Sequence, residues 1–239
     1  MISHLLNKYG YECIRKKKSP SLKSHLFNLI DQYLIDVVID VGANHGQFGK
    51  LLRSIGYQGE ILSFEPTKKS FEILSEASGT DGRWKVYPLA LGDKKKSEKI
   101  NVFASSDFNS LLHPNHMGQA TFNSKLKKLH TESINIETLN NVLTQHALRG
   151  KRIFLKMDTQ GYDLNVFKGA SKYYSSISCL LSEISFQSIY QKMPGYHETI
   201  GFYESKGFSV SGLYPVSRQK DGSMIEMDCF MINTQRQQK

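Results

Sequence analysis

Four carboxylates close apolar runs in this chain. Asp40 follows Val37-Val38-Ile39, and Glu65 follows Ile61-Leu62-Ser63-Phe64. Asp158 follows Ile153-Phe154-Leu155-Lys156-Met157, and Glu183 follows Ile177-Ser178-Cys179-Leu180-Leu181-Ser182. Short apolar runs bounded by turn residues read as buried strands. If these strands are parallel neighbours, their carboxyl ends open on one crevice, where open α/β sheets bind ligands. Acids at four strand ends would give that crevice a negative rim. Such a rim suits a cationic cofactor, a metal ion or the removal of a proton.

The first acid begins a glycine loop, Asp40-Val41-Gly42-Ala43-Asn44-His45-Gly46, and a helical stripe follows in Phe48, Leu51, Leu52 and Ile55. Gly42 and Gly46 let the backbone turn tightly and let a ligand approach without interference from a Cβ. The pattern D-x-G-x-x-x-G departs from the dinucleotide fingerprint G-x-G-x-x-G, because Ala43-Asn44 stand where its second glycine is needed. A pyrophosphate favours the glycine-rich form. An acid at the loop's start suits a ligand with a cationic end and no phosphate, and S-adenosylmethionine has an ammonium and a sulfonium. Gly42, Ala43, Asn44 and Gly46 are therefore candidate cofactor residues. Asp40 would reach the amino acid part of the cofactor, directly or through water, its alternative role being to cap the loop and helix. Glu65, 25 positions after Asp40, would accept the ribose hydroxyls, with Pro66 shaping the turn.

Asp158 stands where a catalytic or substrate-orienting group belongs, or else caps the next helix. Glu183 would hold substrate or act as base. His45, in the glycine loop, offers an imidazole that would accept a hydroxyl proton. Asp158, His45 and Glu183 are thus the candidate bases, in that order, with Asp158 also a candidate cofactor contact. His113, His116 and His130 form no ligand pair with zinc spacing. A divalent metal at Asp158 and Glu183 has only its residue types in favour.

Strands and helices alternate, which predicts an α/β fold: a mostly parallel sheet with helices on both faces. Strands are expected at 37–41, 60–64, 84–90, 153–157 and 177–182, and an extra one at 97–104. Helices are expected at 46–55, 67–77, 163–169 and 197–205. A short strand at 134–137 and a terminal antiparallel pair at 208–210 and 229–232 complete the pattern. Residues 105–133 read as a polar, irregular segment, either a substrate loop or a surface insertion. Residues 1–34 read as a basic amphipathic arm with a lead-in helix, 35–233 as the catalytic domain, and 234–239 as a polar tail.

The chain has 239 residues, enough for one such domain, and a net charge of +9. Its three cysteines form no disulfide framework, which suits a reducing cytoplasm. No apolar run is long enough for a membrane span, and the N-terminus lacks a signal peptide's apolar core. Basic runs such as Arg15-Lys16-Lys17-Lys18 and Lys94-Lys95-Lys96 are either solvated surface or attract anionic glycans, lipid head groups or nucleic acid. The N-terminal arm is a candidate for peripheral membrane contact. A nucleic-acid acceptor is disfavoured: these runs lack interleaved aromatics, and the N-P-P-[FYW] signature of base N-methylation is absent.

An ordered set of motifs is similar to the FkbM-type family of class I, S-adenosylmethionine-dependent methyltransferases. It comprises Ile39-Asp40-Val41-Gly42-Ala43-Asn44-His45-Gly46-Gln47-Phe48, Phe64-Glu65-Pro66, Ala90-Leu91-Gly92-Asp93, Asn109-Ser110-Leu111 and Glu137-Thr138-Leu139. Leu155-Lys156-Met157-Asp158-Thr159-Gln160-Gly161-Tyr162-Asp163, Phe167-Lys168-Gly169-Ala170, Glu183 and the stretch from Gly222 to Phe230 continue it. The resemblance covers about residues 35–233. It implies a Rossmann-like, seven-stranded sheet whose last strand is antiparallel. It also implies cofactor contacts at Asp40, Gly42, Asn44, Glu65 and the Ala90-Leu91 turn. The implied activity is O-methylation of a hydroxyl on a sugar, glycan or secondary metabolite, with S-adenosylhomocysteine as the product. The chain departs from the family at its fourth main strand, where Thr159-Gln160 and Tyr162-Asp163 replace valine–glutamate and alanine–glutamate.

Overall fold

A computed structural model describes residues 20–236. Strand β1 (Val37–Val41) is buried at every position, as a strand covered by helices on both faces must be. Its alternate side chains serve opposite faces. Val37, Ile39 and Val41 enter one core cluster, and Val38 enters the other. Asp40 shares the face of Val38.

The helices divide between these faces. On the Val38 side lie Leu26 and Leu29 of α1 (Leu22–Gln32), Leu52 of α2 (Gln47–Ser54) and Leu74 of α3 (Lys68–Ser78). On the other side lie Leu139, Val142 and Leu143, then Val166 and Phe167, then Tyr203. These belong to the helices Leu139–Gln145, Asp163–Lys168 and Tyr196–Glu204. Ser21 starts α1 by accepting a hydrogen bond from the Ser24 N–H.

The main sheet has seven strands. β1 pairs in parallel with β2 (Glu60–Phe64), and β2 with β3 (Trp84–Tyr87). On its other side β1 pairs in parallel with the strand Ile153–Met157, which pairs with Ile177–Ser185. The last strand in the chain, Met224–Asn233, runs antiparallel to its neighbours Ile177–Ser185 and Phe208–Arg218. This is the Rossmann-like arrangement, and the terminal hairpin is longer than the two short strands expected.

Two expectations need correction. Residues 84–90 are not one strand. Pro88 has no N–H for the ladder, and Leu89 N–H turns back to the Tyr87 carbonyl at 2.9 Å. The chain then leaves the main sheet, and β4 (Ala90–Gly92) enters a second, three-stranded sheet with β5 (Lys96–Phe103) and β6 (Lys128–Thr138). Residues 105–133 are not irregular either. They contain a 3-10 turn at Ser106–Phe108, helix α4 (His116–Phe122) capped by Asn115, and the first part of β6. That part of β6 is largely exposed and polar, so it carries no apolar alternation.

The remaining elements are α5 (Leu139–Gln145), β7 (Ile153–Met157), α6 (Asp163–Lys168), β8 (Ile177–Ser185), α7 (Tyr196–Glu204), β9 (Phe208–Arg218) and β10 (Met224–Asn233). The expected basic arm falls mostly outside the described residues, as do residues 237–239 of the tail. Among the described residues no helix is long and apolar enough to cross a membrane.

Candidate active site

The glycine loop joins β1 to α2. Gly42 and Gly46 have φ of +72° and +79°, a region that costs an L side chain energy. A Cβ on Gly42 would collide with the Asp158 carbonyl oxygen. The N–H groups of Gly42 and Ala43 both donate to the Phe64 carbonyl at 3.0 Å. The N–H of Asn44 donates to Glu65 Oε2 at 3.0 Å. Glu65 Oε1 accepts from the N–H and Oγ1 of Thr67 at 3.0 and 2.5 Å. Burial pushes the Glu65 carboxyl up, and the Thr67 and Asn44 donors pull against that. Asn44 Nδ2 donates to Asp107 Oδ1 at 2.6 Å, while its own Oδ1 is buried without a partner.

Beneath the loop runs a line of polar side chains set by register. Asp40 pairs with Ser63 on β2 and with Lys156 on β7, so all three share one face of the sheet. Trp84 Nε1 donates to Ser63 Oγ at 3.0 Å, and Ser63 Oγ donates to Asp40 Oδ2 at 3.1 Å. Lys156 Nζ lies 3.0 Å from Asp40 Oδ1 and donates to the Gly42 carbonyl at 2.9 Å. Burial works against the Lys156 charge, but Asp40 and Asp158 outweigh it and hold the ammonium above its ordinary range. The lysine thereby ties the loop to the sheet.

The loop borders a cavity of about 570 Å³ at the carboxyl ends of the strands. That is ample for a small-molecule cofactor site. Gly42, Ala43, Asn44, Glu65, Pro66, Ala90, Leu91, Asp158 and Glu183 line it. Three other candidates do not. Asp40 is fully buried beneath the cavity, against the lining residue Lys156. Gly46 faces Ala77, Leu74 and Trp84. The His45 ring approaches Ser106 Oγ, with Nε2 at 3.4 Å.

The far end of the cavity is acidic. Gln160 Nε2 donates to Glu183 Oε2 at 2.9 Å and to Asp158 Oδ1 at 3.3 Å. The Tyr190 hydroxyl donates to Gln160 Oε1 at 3.1 Å. Asp228 on β10 lies directly opposite Glu183 on β8. Burial, then Asp158 and Glu226, push the Glu183 carboxyl well above its usual range. Burial and Asp158 push Asp228 up to about 7. Among the described residues no group of three or more His, Cys, Asp or Glu side chains is placed to hold a metal ion.

Several of these residues escaped the sequence reading. Lys156 stood in view as a lysine inside an apolar strand. Glu226 and Asp228 sit two apart on one face of β10, a period-2 signal that lies before the strand expected at 229–232. Gln160, in sequence a departure from the family pattern, bridges two carboxylates through its amide.

A model of the methyltransferase FkbM domain matches residues 40–210. The chain belongs to this family. It is an S-adenosylmethionine-dependent methyltransferase, and S-adenosylmethionine is its cofactor.

No curated protein matches the sequence. Among solved structures, the chain is similar to fibrillarin from Aeropyrum pernix with natively bound S-adenosyl-L-methionine. That match has 12% identity, a TM-score of 0.46, and coverage of 88% of this chain and 73% of the other. Magnesium protoporphyrin IX methyltransferase from Synechocystis, also with bound cofactor, matches at 8% identity and TM-score 0.46, over 89% and 79% of the two chains. An rRNA methylase from Streptococcus thermophilus matches at 11% identity and TM-score 0.44, over 93% and 99%.

The residues of this FkbM methyltransferase fit the cofactor. The buried, unpartnered Asn44 Oδ1 offers an acceptor for one of its donors. Glu65 presents a carboxylate whose position is fixed by three hydrogen bonds. The absent Cβ at Gly42 keeps the loop against Asp158.

Proposed function

We propose that this methyltransferase acts on a hydroxyl oxygen of a sugar, a glycan or another secondary metabolite. The observation behind this reading is the carboxylate set Asp158, Glu183 and Asp228, which faces the same cavity as the cofactor residues. A hydroxyl attacks well only as its proton leaves. When bound, S-adenosylmethionine supplies a methyl carbon already activated by its sulfonium. Asp158, with its side chain 46% exposed, accepts the hydroxyl proton as the new O–C bond forms and the C–S bond breaks. Gln160 holds the Asp158 and Glu183 carboxylates in one arrangement, and Glu183 orients the acceptor. His45, beside Ser106 and away from the lining, is a rim residue in this reading.

Glu65 would take the ribose hydroxyls, and Gly42, Ala43 and Asn44 would hold the amino acid part. Pro66, Ala90 and Leu91 line the same cavity and would complete the cofactor's binding site. Asp40 acts through Lys156 on the loop, and Gly46 shapes the start of α2. Residues 105–133 cover the acceptor side, supported by the cavity-lining positions of Phe108, Phe122 and Lys125. The buried free thiols Cys179 and Cys229 favour a reducing cytoplasmic setting. A nucleic-acid acceptor fits poorly, because six carboxylates and two lysines line the cavity while the +9 net charge lies elsewhere.

The test is formation of S-adenosylhomocysteine with panels of sugars, glycans, polyhydroxy metabolites and RNA, with the product's methylated atom located by NMR. Asp158→Asn should lower kcat by about 10²–10⁴-fold with S-adenosylhomocysteine binding unchanged. A methyl group found on nitrogen, or turnover on RNA alone, would overturn the reading. Full turnover by Asp158→Asn would remove Asp158 as base.

A further inference from the structure

The hairpin end of the cavity holds more carboxyl groups than proton removal needs. Glu226 and Asp228 lie two apart on β10, so both point to the cavity face, and both line it. Asp228 stands directly across from Glu183, an arrangement that like charges disfavour. Among the described residues no lysine, arginine or histidine forms an ion pair with Glu183, Glu226 or Asp228.

Glu226 supplies an independent observation. It is 4% exposed, and its Oε1 has no hydrogen-bond partner, while Oε2 accepts from Ser217 Oγ at 2.9 Å. The β9–β10 register shifts on both sides of Glu226. Such bulges re-aim a side chain and recur beside binding sites. An unpaired buried carboxylate oxygen is costly, so a site that keeps one gains most from a ligand that donates to it.

We propose that this end of the cavity is a subsite for a protonated amine, so that the acceptor is a hydroxyl compound bearing an amino group, such as an amino sugar. The proposal rests on the O-methylation reading and narrows its substrate class. A neutral polyol brings hydroxyl donors but no charge that would favour ionisation of three carboxyls whose burial opposes it, Lys156 acting on Asp228 alone among them. An ammonium brings three donors and the missing positive charge, and charge-assisted bonds are the stronger ones. An acid-bearing sugar adds repulsion. Lys125, at 5.7 Å over the Phe108 ring, also lines the cavity, but Phe108 and Lys125 belong to the covering segment and not to β8 or β10.

The experiment is calorimetric titration of glucosamine, glucose and glucuronate into the full chain saturated with S-adenosylhomocysteine. Glucosamine should bind at least about tenfold tighter than glucose, the scale of one charged hydrogen bond, with glucuronate weakest. In Glu226→Gln, which keeps the shape and the Ser217 contact, the preference should shrink severalfold, with S-adenosylhomocysteine affinity unchanged. Asp228→Asn provides a second route should the first variant fold poorly. Equal affinity for the three sugars, no binding of any, or a preference that survives both substitutions would overturn the amine subsite. So would a loss of S-adenosylhomocysteine affinity in Glu226→Gln, since Glu226 would then serve the cofactor. Methyl transfer to glucose without any preference for the amine would sink the subsite and leave O-methylation standing. Amine binding with methylation on nitrogen would do the reverse.

Discussion

At the glycine-loop end of the cavity Glu65 accepts three hydrogen bonds, and Asp40 has a lysine nitrogen 3.0 Å away. At the hairpin end Asp228 faces Glu183, and Glu226 keeps a bare oxygen. Both ends use carboxylates on the same sheet. They differ in who satisfies them. The carboxylates of the loop end are completed from within the chain, so their positions are set before any ligand arrives. The hairpin end is left for the acceptor to complete. Catalysis needs both: a cofactor held in a fixed place, and an acceptor whose groups are recognised by what they supply.

The largest test of the loop end is Lys156→Met. It leaves Asp40 charged and fully buried without its counter-ion, and should cost about 3–5 kcal/mol of unfolding free energy in chemical denaturation. A loss under about 1 kcal/mol would place this pair with solvated surface bridges. It would also remove the contrast between the two ends. Adding Asp40→Asn should recover part of the loss, because the stranded charge goes with it.

Gly42→Ala attacks the same end through the backbone. Strain at positive φ of about 1–3 kcal/mol joins the collision with the Asp158 carbonyl, so S-adenosylhomocysteine affinity should fall about 100-fold by calorimetry. Glu65→Gln is gentler. It keeps one acceptor oxygen but loses charge, and affinity should fall about 10-fold to 100-fold. Unchanged affinity in Glu65→Gln would mean that the carboxylate only pins Asn44 and Thr67.

The same contrast governs how much could be seen in the sequence. β1, β2, β7 and β8 announce themselves because strands covered on both faces carry dense apolar runs. An acid directly follows β2 and β7, Asp40 and Glu183 stand near the carboxyl ends of β1 and β8, and the glycine loop is contiguous. The second sheet was less visible, since β6 is largely solvated and Pro88 breaks a run that reads as continuous. The hairpin end was hidden for another reason. Glu183 and Asp228 meet only through antiparallel pairing across 45 positions, and β9 and β10 contain register shifts that no local pattern encodes. Asp40 was visible as a residue but not as a role. Its place beneath the loop depends on its register with Lys156, a fact of strand pairing.

The smallest effect probes the hairpin end through pH. Burial and Asp158 raise Asp228 to about 7, with Asp163 and Glu226 adding to this and Lys156 opposing it. In the unfolded chain an aspartate titrates near ~4. Between those values the folded protein holds the proton and the unfolded chain does not, so folded stability falls as pH rises from about 4 to about 7. Glu183 and Glu226, also raised by burial, act in the same direction. Asp228→Asn removes one of these groups. Thermal melts should show the variant gaining on wild type at pH 8 and matching it more closely at pH 5.5. Parallel curves at both pH values would mean that Asp228 ionises freely in the folded protein. The hairpin end would then be as well compensated as the loop end. An added amine basic enough to stay protonated at pH 8 should stabilise the wild type more at pH 8 than at pH 5.5, because ionised carboxylates are what it would pair with.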